Sequence, residues 1–316
     1  MIVQQENEMS RHSMLVIGSA NMDMVVKSAH FPRAGETVLG YDFGMYPGGK
    51  GANQAVAAAK LGGDVLFIGK MGNDLFKERL VDSMTRDHVN LEHLFTDEDN
   101  STGIALIMVD EKGENEIVVV SGSNMRLTPD DINSKQYLFP QVSVVLTQLE
   151  IPMETVETAA HLAKKSNGIF ILNPAPAQKL PESLLKAVDY LTPNETELAL
   201  IAERPVDDMD SVYKAARDVI KRGVRNLIVT LGDKGALWVN EKRQQLFPAR
   251  KVERVVDTTA AGDAFNGAFA LSLAQGRSVD WAIQFANIVA AYSVTKMGAQ
   301  SSMPLLGDID DKAEMK

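Results

Sequence analysis

The sequence predicts an α/β fold in which a mainly parallel sheet is covered by helices on both faces, with a small second β-sheet beside it. Three observations carry this. From Val142 onward, short apolar runs alternate with helical patterns, which implies parallel strands joined by crossover helices. Met14–Ile17, a short apolar run ending at Gly18, reads as a buried strand. Residues 24–47 and 103–121 have a hairpin-rich texture that does not fit the main layer.

In chain order, the strand at Met14–Ile17 is followed by the polar stretch Ser19–Asp23, and Met24–Val26 resumes apolar character. Thr37–Met45 reads as extended and is broken by Pro47-Gly48-Gly49. Lys50–Leu61 is helical, because Ala52, Ala55, Val56 and Ala59 share one face and Gly62-Gly63 stops the run. Val65–Gly69 is a strand and Asp74–Arg86 an amphipathic helix. Gly103–Val109 and Glu116–Val120 form a hairpin about Asp110–Glu114. Strands follow at Val144–Leu149, Ile169–Leu172, Tyr190–Leu191, Leu227–Leu231, Ala236–Val239 and Gln244–Phe247. Helices alternate with them at Met153–Lys165, Pro181–Val188, Glu195–Ala202 and Val212–Arg222, and Ala264–Gln275 and Asp280–Lys296 close the fold. A loose tail is expected over residues 1–12 and a frayed acidic stretch at the C-terminus.

Composition narrows the function. The 316 residues are 45% hydrophobic and 23% charged, enough apolar material for a large core. A net charge of −10 argues against nucleic-acid binding and leaves anions to local pockets. Cysteine is absent, which excludes disulfides, a thiol nucleophile and thiolate metal sites. The five histidines form no ligand cluster. The polar start lacks the pattern of a signal peptide, and no apolar run approaches ~18 residues. A cytoplasmic protein that does not engage a membrane is expected.

Three glycine-rich loops enter helices or strands. Gly44–Gly51 nearly spells a phosphate-binding G-x-x-x-x-G-K, but Gly51 replaces the Ser or Thr that would hold Mg²⁺, so that reading is rejected. What remains is a loop that can approach a ligand closely, followed by Lys50 and Asn53. A solvated helix start explains it equally well.

Asp257–Ala268 is more specific. Ala260, Ala261 and Gly262 leave amides uncovered just before a helix, which favours an anion, and Asp263 sits beside them as a candidate proton acceptor. A favourable first-turn acid accounts for Asp263 alone but not for the small residues around it. Thr230–Gly235 follows a strand and either lines a ligand crevice or makes a tight turn. Glu150 stands at a strand end. Asn194 and Glu197 form a capping pair or, alternatively, hold water around Mg²⁺. By residue type alone, capping is preferred.

Gly48-Gly49-Lys50-Gly51-Ala52-Asn53-Gln54-Ala55-Val56-Ala57, together with Asp257–Asp263, resembles the two signature regions of the ribokinase family of sugar kinases. The resemblance runs from about Leu15 to about Pro304, and the GGKGANQA form is similar to the family's ribokinase branch rather than to fructokinases or nucleoside kinases. It implies a three-layer α/β/α sandwich over residues 13–310 with a discontinuous β lid from about 24–47 and 101–121. It also implies ATP-dependent phosphorylation of D-ribose at the 5-hydroxyl and a homodimer formed through the lid.

By the same resemblance Asp263 is the catalytic base and Ala260, Ala261 and Gly262 form the anion hole. Asn21, Asp23, Gly49, Lys50, Asn53 and Glu150 hold the sugar. Asn194, Thr230, Gly232, Asp233, Gly235 and Asn287 face the nucleotide, and Glu197 holds Mg²⁺ through water, which reverses the preference for simple capping. K⁺ is implied next to the anion hole, at Asp257 and Thr259 and at Ser293, Lys296, Gly298 and Ser302, partly through backbone carbonyls. The alternatives are a related kinase for deoxyribose, another pentose or a nucleoside, and a non-catalytic sugar or nucleotide sensor on the same fold.

Overall fold

The computed structural model describes residues 14–309; the tail expected over residues 1–12 and the C-terminal end beyond Ile309 lie outside the described residues. The chain runs β1 (Met14–Ile17), β2 (Asn21–Ser28), β3 (Gly40–Gly48), α1 (Lys50–Lys60), β4 (Val65–Ile68), β5 (Lys70–Gly72) and α2 (Leu75–Arg86). It continues with β6 (Phe95–Asp97), β7 (Gly103–Val109), β8 (Asn115–Val120), α3 (Pro129–Ser134), β9 (Val144–Thr147), α4 (Met153–Lys165) and β10 (Ile169–Leu172). Then come α5 (Glu182–Ala187), β11 (Tyr190–Leu191), α6 (Glu195–Ala202), α7 (Met209–Lys221), β12 (Asn226–Thr230), β13 (Ala236–Val239), β14 (Gln244–Phe247), α8 (Ala261–Ala274) and α9 (Val279–Ser293).

The central sheet is eight-stranded among the described residues, in the order β14-β13-β12-β11-β10-β9-β1-β4. From β12 to β4 all pairs are parallel, while β13 and β14 join as antiparallel edge strands. Side chains alternate across a strand, so β1 sends Met14 and Val16 to one face and Leu15 and Ile17 to the other. The first face packs on α1, α8 and α9 through Phe67, Leu146, Ala264, Phe269 and Ile283. The second packs on α4 to α7 through Val145, Phe170, Val156, Ala216 and Val219. With both faces buried, the strands carry continuous apolar runs, which is why they are visible in the sequence.

A separate four-stranded sheet has the order β3-β2-β7-β8. It begins three residues after β1, so the two sheets meet at the carboxyl end of β1. Here the structure extends the expectation. Asn21–Asp23 belongs to β2 instead of a connector, and β3 continues through Pro47 to Gly48. Pro47 is tolerated because β3 is an edge strand and needs no donor on its open side. The short parallel pair β5–β6 was not anticipated, since three residues per strand give no periodicity to read. Helix α8 starts one turn earlier than expected, because Ala261 and Gly262 carry little side chain and Asp263 a polar one, so nothing marks the beginning of the periodic face.

Candidate active site

Polar residues gather where the parallel strands end. Ser19, Gln148, Asn173 and Thr192 follow β1, β9, β10 and β11 within two residues, and all are buried. In open parallel sheets this end forms the ligand crevice. The N-termini of α1 and α8 point to the same place, and a cavity of about 200 Å³ lies there, lined by Lys50, Asn194, Glu197, Thr230, Ala260–Gly262 and Asp263 among others.

Helix α8 opens without a side-chain cap. Its N-cap, Ala260, is held left-handed at φ 60° and ψ 13°, a conformation in which an alanine is strained. A Cβ at Gly262 would meet nothing within 4 Å, so this helix start faces open space. The Ala261 amide donates to Thr258 O at a long 3.3 Å, and a helix N-terminus without a side-chain cap attracts an anion.

Asp263, in the first turn of α8, is 6% exposed. Its Oδ2 accepts from Asn53 Nδ2 at 3.0 Å and its Oδ1 from Gln54 Nε2 at 2.9 Å. Asn53 Oδ1 is buried and accepts no hydrogen bond from the protein. Such an orphan beside a carboxylate suits a ligand hydroxyl that gives a hydrogen bond to the amide.

Lys50 lies amid acids. Burial alone would lower its ammonium, but Asp263, Glu150, Glu197 and Asp23 outweigh it and hold the group above its ordinary range. Asp23 is pushed up from 3.8 to about 7, first by burial and then by Glu150 and Asp263, with Lys50 opposing. Glu150 Oε2 accepts from Lys50 N at 3.1 Å and from the Ser19 hydroxyl, so it serves α1 as an N-terminal cap from another strand end. Asn21 lies on β2, where its Oδ1 accepts from Asn124 Nδ2 at 2.7 Å. Gly48 and Gly49 bring the β3–α1 corner close to these residues. A Cβ on Gly48 would lie 2.2 Å from Asp23 Oδ2, and Gly49 has φ 88°.

Asn194 and Glu197 do form a reciprocal capping box on α6: Asn194 Oδ1 accepts from Glu197 N at 2.8 Å, and Glu197 Oε2 from Asn194 N at 2.9 Å. Both also line the cavity. Burial raises the Glu197 carboxyl, against the hydrogen bond from Asn194 and the charge of Lys50.

Thr230 ends β12 at the cavity, whereas Gly232, Asp233 and Gly235 shape the antiparallel turn into β13 outside its lining. Gly235 has φ 100°, and a Cβ there would strike Phe247 O. Asn287 on α9 is buried and donates to Phe247 O and Pro248 O, each at 3.2 Å.

The segments expected at K⁺ are joined by Asp257, which accepts from Thr259 N at 2.9 Å and Gly298 N at 2.9 Å. Burial raises its carboxyl, but these hydrogen bonds outweigh burial and bring it below the ordinary value. The hydroxyls of Ser293 and Ser302 turn back to Ala290 O and Ala299 O, and Lys296 pairs with Asp308 at 3.8 Å.

Sequence reasoning assigned no role to Ser19, Gln54, Asn124, Gln148, Asn173, Thr192 or Asn266, which form the site's buried polar floor. Gln54 stands beside Asn53 in an alanine-rich helix, and Gln148 and Asn173 each follow an apolar strand directly. Those are the signals that could have found them. Asn124 carries none. A larger open depression of about 320 Å³ beside α7, lined by Arg204, Tyr213 and Lys221 among others, holds none of the converging residues, and two of its four cations, Arg204 and Lys221, pair with Asp218.

Comparison with known proteins agrees with this geometry. The profile of the pfkB family carbohydrate kinases matches residues 11–306. The chain is 40% identical over 294 residues to the ribokinase of Haemophilus influenzae, covering 93% of this chain and 96% of that one. It is 38% identical over 297 residues to the deoxyribokinase of Salmonella typhimurium, covering 94% and 97%. The solved structure of Arabidopsis thaliana ribokinase complexed with ribose and ATP matches with a TM-score of 0.90 at 31% identity, covering 94% of this chain and 97% of that one. The fold is therefore the ribokinase-like sandwich with a small separate sheet, and the chain belongs to the pfkB family and is a carbohydrate kinase.

Proposed function

We propose that the protein transfers the terminal phosphoryl group of ATP to the 5-hydroxyl of D-ribose, giving D-ribose 5-phosphate and ADP. The observation that carries this reading is the convergence in one cavity of Asp263, Lys50 and the uncapped start of α8. Asn21, Asp23, Gly49, Lys50, Asn53 and Glu150 surround the sugar, and the orphaned Asn53 Oδ1 accepts one of its hydroxyls. Asp263 Oδ2 takes the proton of the attacking hydroxyl. The transition state of phosphoryl transfer is loose, so positioning and charge stabilisation supply most of the rate. The amides of Ala260–Gly262 stabilise the equatorial oxygens of the migrating group. Asn194, Thr230, Gly232, Asp233, Gly235 and Asn287 form the nucleotide side.

The donor set near the phosphates fits Mg²⁺ held through water, since Glu197 is a cavity-lining carboxylate and Mg²⁺ keeps several waters beside a nucleotide. When bound, the ion neutralises phosphate charge. For K⁺ the fit is narrower. Asp257 ties the two segments together, and with the Ser293 and Ser302 hydroxyls engaged, backbone carbonyls would have to supply the remaining ligands. ATP as donor accords with a cytoplasmic location.

The four-stranded sheet is the lid, and its exposed apolar residues Tyr41, Phe43, Ile117 and Val118 favour a homodimer formed through it. Light scattering gives the mass directly, and a monomer at assay concentration would remove the dimer.

The 38% identity to a deoxyribokinase favours 2-deoxyribose as the second reading. A coupled ADP-release assay on ribose and 2-deoxyribose decides between them, because only ribose has a 2-hydroxyl. Turnover on neither sugar, with turnover on a nucleoside, would defeat both.

A further inference from the structure

Beside Asp263 runs a chain of buried polar side chains that the proposed mechanism leaves unused; Asn173 and Asn266 touch the cavity, and Gln54, Gln148 and Thr192 lie behind its lining. Gln54 on α1 is fully buried. Its Nε2 donates to Asp263 Oδ1 at 2.9 Å and to Asn173 Oδ1 at 3.0 Å, which uses both of its hydrogens. Its Oε1 accepts from Gln148 Nε2 at 2.7 Å. Asn173 Nδ2 in turn donates to Thr192 O at 3.0 Å. The Thr192 hydroxyl donates to Asn266 Oδ1 at 2.6 Å, and Asn266 Nδ2 donates to Gly262 O at 2.8 Å. The chain therefore starts at β9, crosses α1 and the ends of β10 and β11, and returns to the first turn of α8.

The direction of the Gln54 amide is fixed by its neighbours. Turned over, it would set an oxygen against both Asp263 Oδ1 and Asn173 Oδ1, two acceptors. A buried amide so pinned cannot follow a rotating carboxylate without losing a hydrogen bond in a dry site, where an unmade bond is costly. The two carboxylate oxygens are also inequivalent. Oδ1 meets the fully buried Gln54, while Oδ2 meets Asn53, whose own Oδ1 has no partner in the protein.

We propose that Gln54 is a positioning residue for phosphoryl transfer: it anchors Asp263 Oδ1 so that Oδ2 alone faces the attacking hydroxyl. The inference rests on the reading of Asp263 as the base and adds to it which oxygen reacts and what holds it. The shared network also links the base to Gly262 O, so base and anion hole are held in one frame.

The test compares wild type with Gln54→Met and Gln54→Glu over a pH series, reading kcat, ribose KM and thermal midpoint. Gln54→Met keeps the length but loses both donors. It should lower kcat about ten- to hundredfold, the size of one hydrogen bond to a charged group, with ribose KM changed less than about threefold. Losing a donor to the carboxylate should also move the acid limb of kcat to higher pH. Gln54→Glu keeps the acceptor for Gln148 but sets an acid against Asp263, and should move that limb further in the same direction. Lys50, Asp23 and Glu197 also face Asp263, with Glu150 beside Lys50 and Asp23, and they are unchanged in all three proteins.

A folded variant pair whose acid limb coincides with wild type overturns the proposal, as does a loss confined to KM. Asp263→Asn separates the two levels. If it keeps full turnover, the base assignment itself fails, and if it is inactive while Gln54→Met matches wild type, only the anchoring role fails.

Discussion

Asp23→Asn should make the protein more stable at pH 8 while weakening ribose binding. In the folded state the Asp23 carboxyl is raised from 3.8 to about 7, chiefly by burial and then by Glu150 and Asp263. A carboxyl whose native pKa exceeds its unfolded value binds its proton more tightly when folded. Its contribution therefore favours folding at acid pH and is lost as pH rises from about 4 through 7. At full value the rise corresponds to about 4 kcal/mol. Its coupling to Glu150 and Asp263 reduces what one substitution relieves, so about 2–4 kcal/mol is expected. For a chain of this size that corresponds to a gain of roughly 3–6 °C in melting temperature at pH 8. At pH 4 the native side chain is already neutral, and the two proteins should melt together. Ribose KM should rise about ten- to hundredfold, because a neutral amide replaces a charged acceptor. Differential scanning fluorimetry from pH 4 to pH 8 gives the melting difference, and coupled ADP release at pH 8 gives the ribose KM. A melting difference that stays constant with pH, or a variant less stable at pH 8, would refute the reasoning.

Four further outcomes follow from the same structure. Asp263→Asn should lower kcat roughly 10²–10⁴-fold with little effect on ribose binding, measured by coupled ADP release and calorimetry. Gly48→Ala places a Cβ 2.2 Å from Asp23 Oδ2 and should raise ribose KM at least about tenfold, and an unchanged KM would show that Asp23 does not hold the sugar. Lys60→Met removes the bond from Nζ to Gln300 O at 2.9 Å and should cost about 1–2 kcal/mol in urea unfolding while leaving kcat near wild type. Replacing K⁺ by Na⁺ should lower activity several-fold, and identical rates in the two salts would count against the cation site.

The central sheet was legible because its strands are buried on both faces and therefore carry unbroken apolar runs, as in Ile169–Leu172 and Ala236–Val239, whose limits coincide with the observed strands. Boundaries failed where the deciding force is not periodic. The start of α8 at Ala261 depends on a left-handed Ala260, and β5 and β6 depend on pairing partners 25 residues apart in register. At the site, the signature segments pointed to Asp263, Lys50 and Asn53, which the fold brings together with Glu197 and Asn194. The polar floor escaped notice because each member is one ordinary residue after one ordinary strand. Ser19, Gln148 and Asn173 become a unit only when β1, β9 and β10 are laid side by side. Asn124 was invisible for the same reason: it reaches Ala20 and Asn21 across more than a hundred residues of sequence.

The small sheet joins the body of the enzyme through joints at Gly18–Ala20 and at Gly48–Gly49, and this division sets what a sugar must do. Asn21 and Asp23 ride on one side of those joints and Lys50 and Asn53 on the other. On the proposed sugar assignment, a polyol gripped by all four would act as a latch between the two parts, fastening the roof to the floor as it settles. Sugars that lack a gripped hydroxyl should then fail twice, holding less tightly and leaving the door ajar to water, so that more ATP is wasted by hydrolysis.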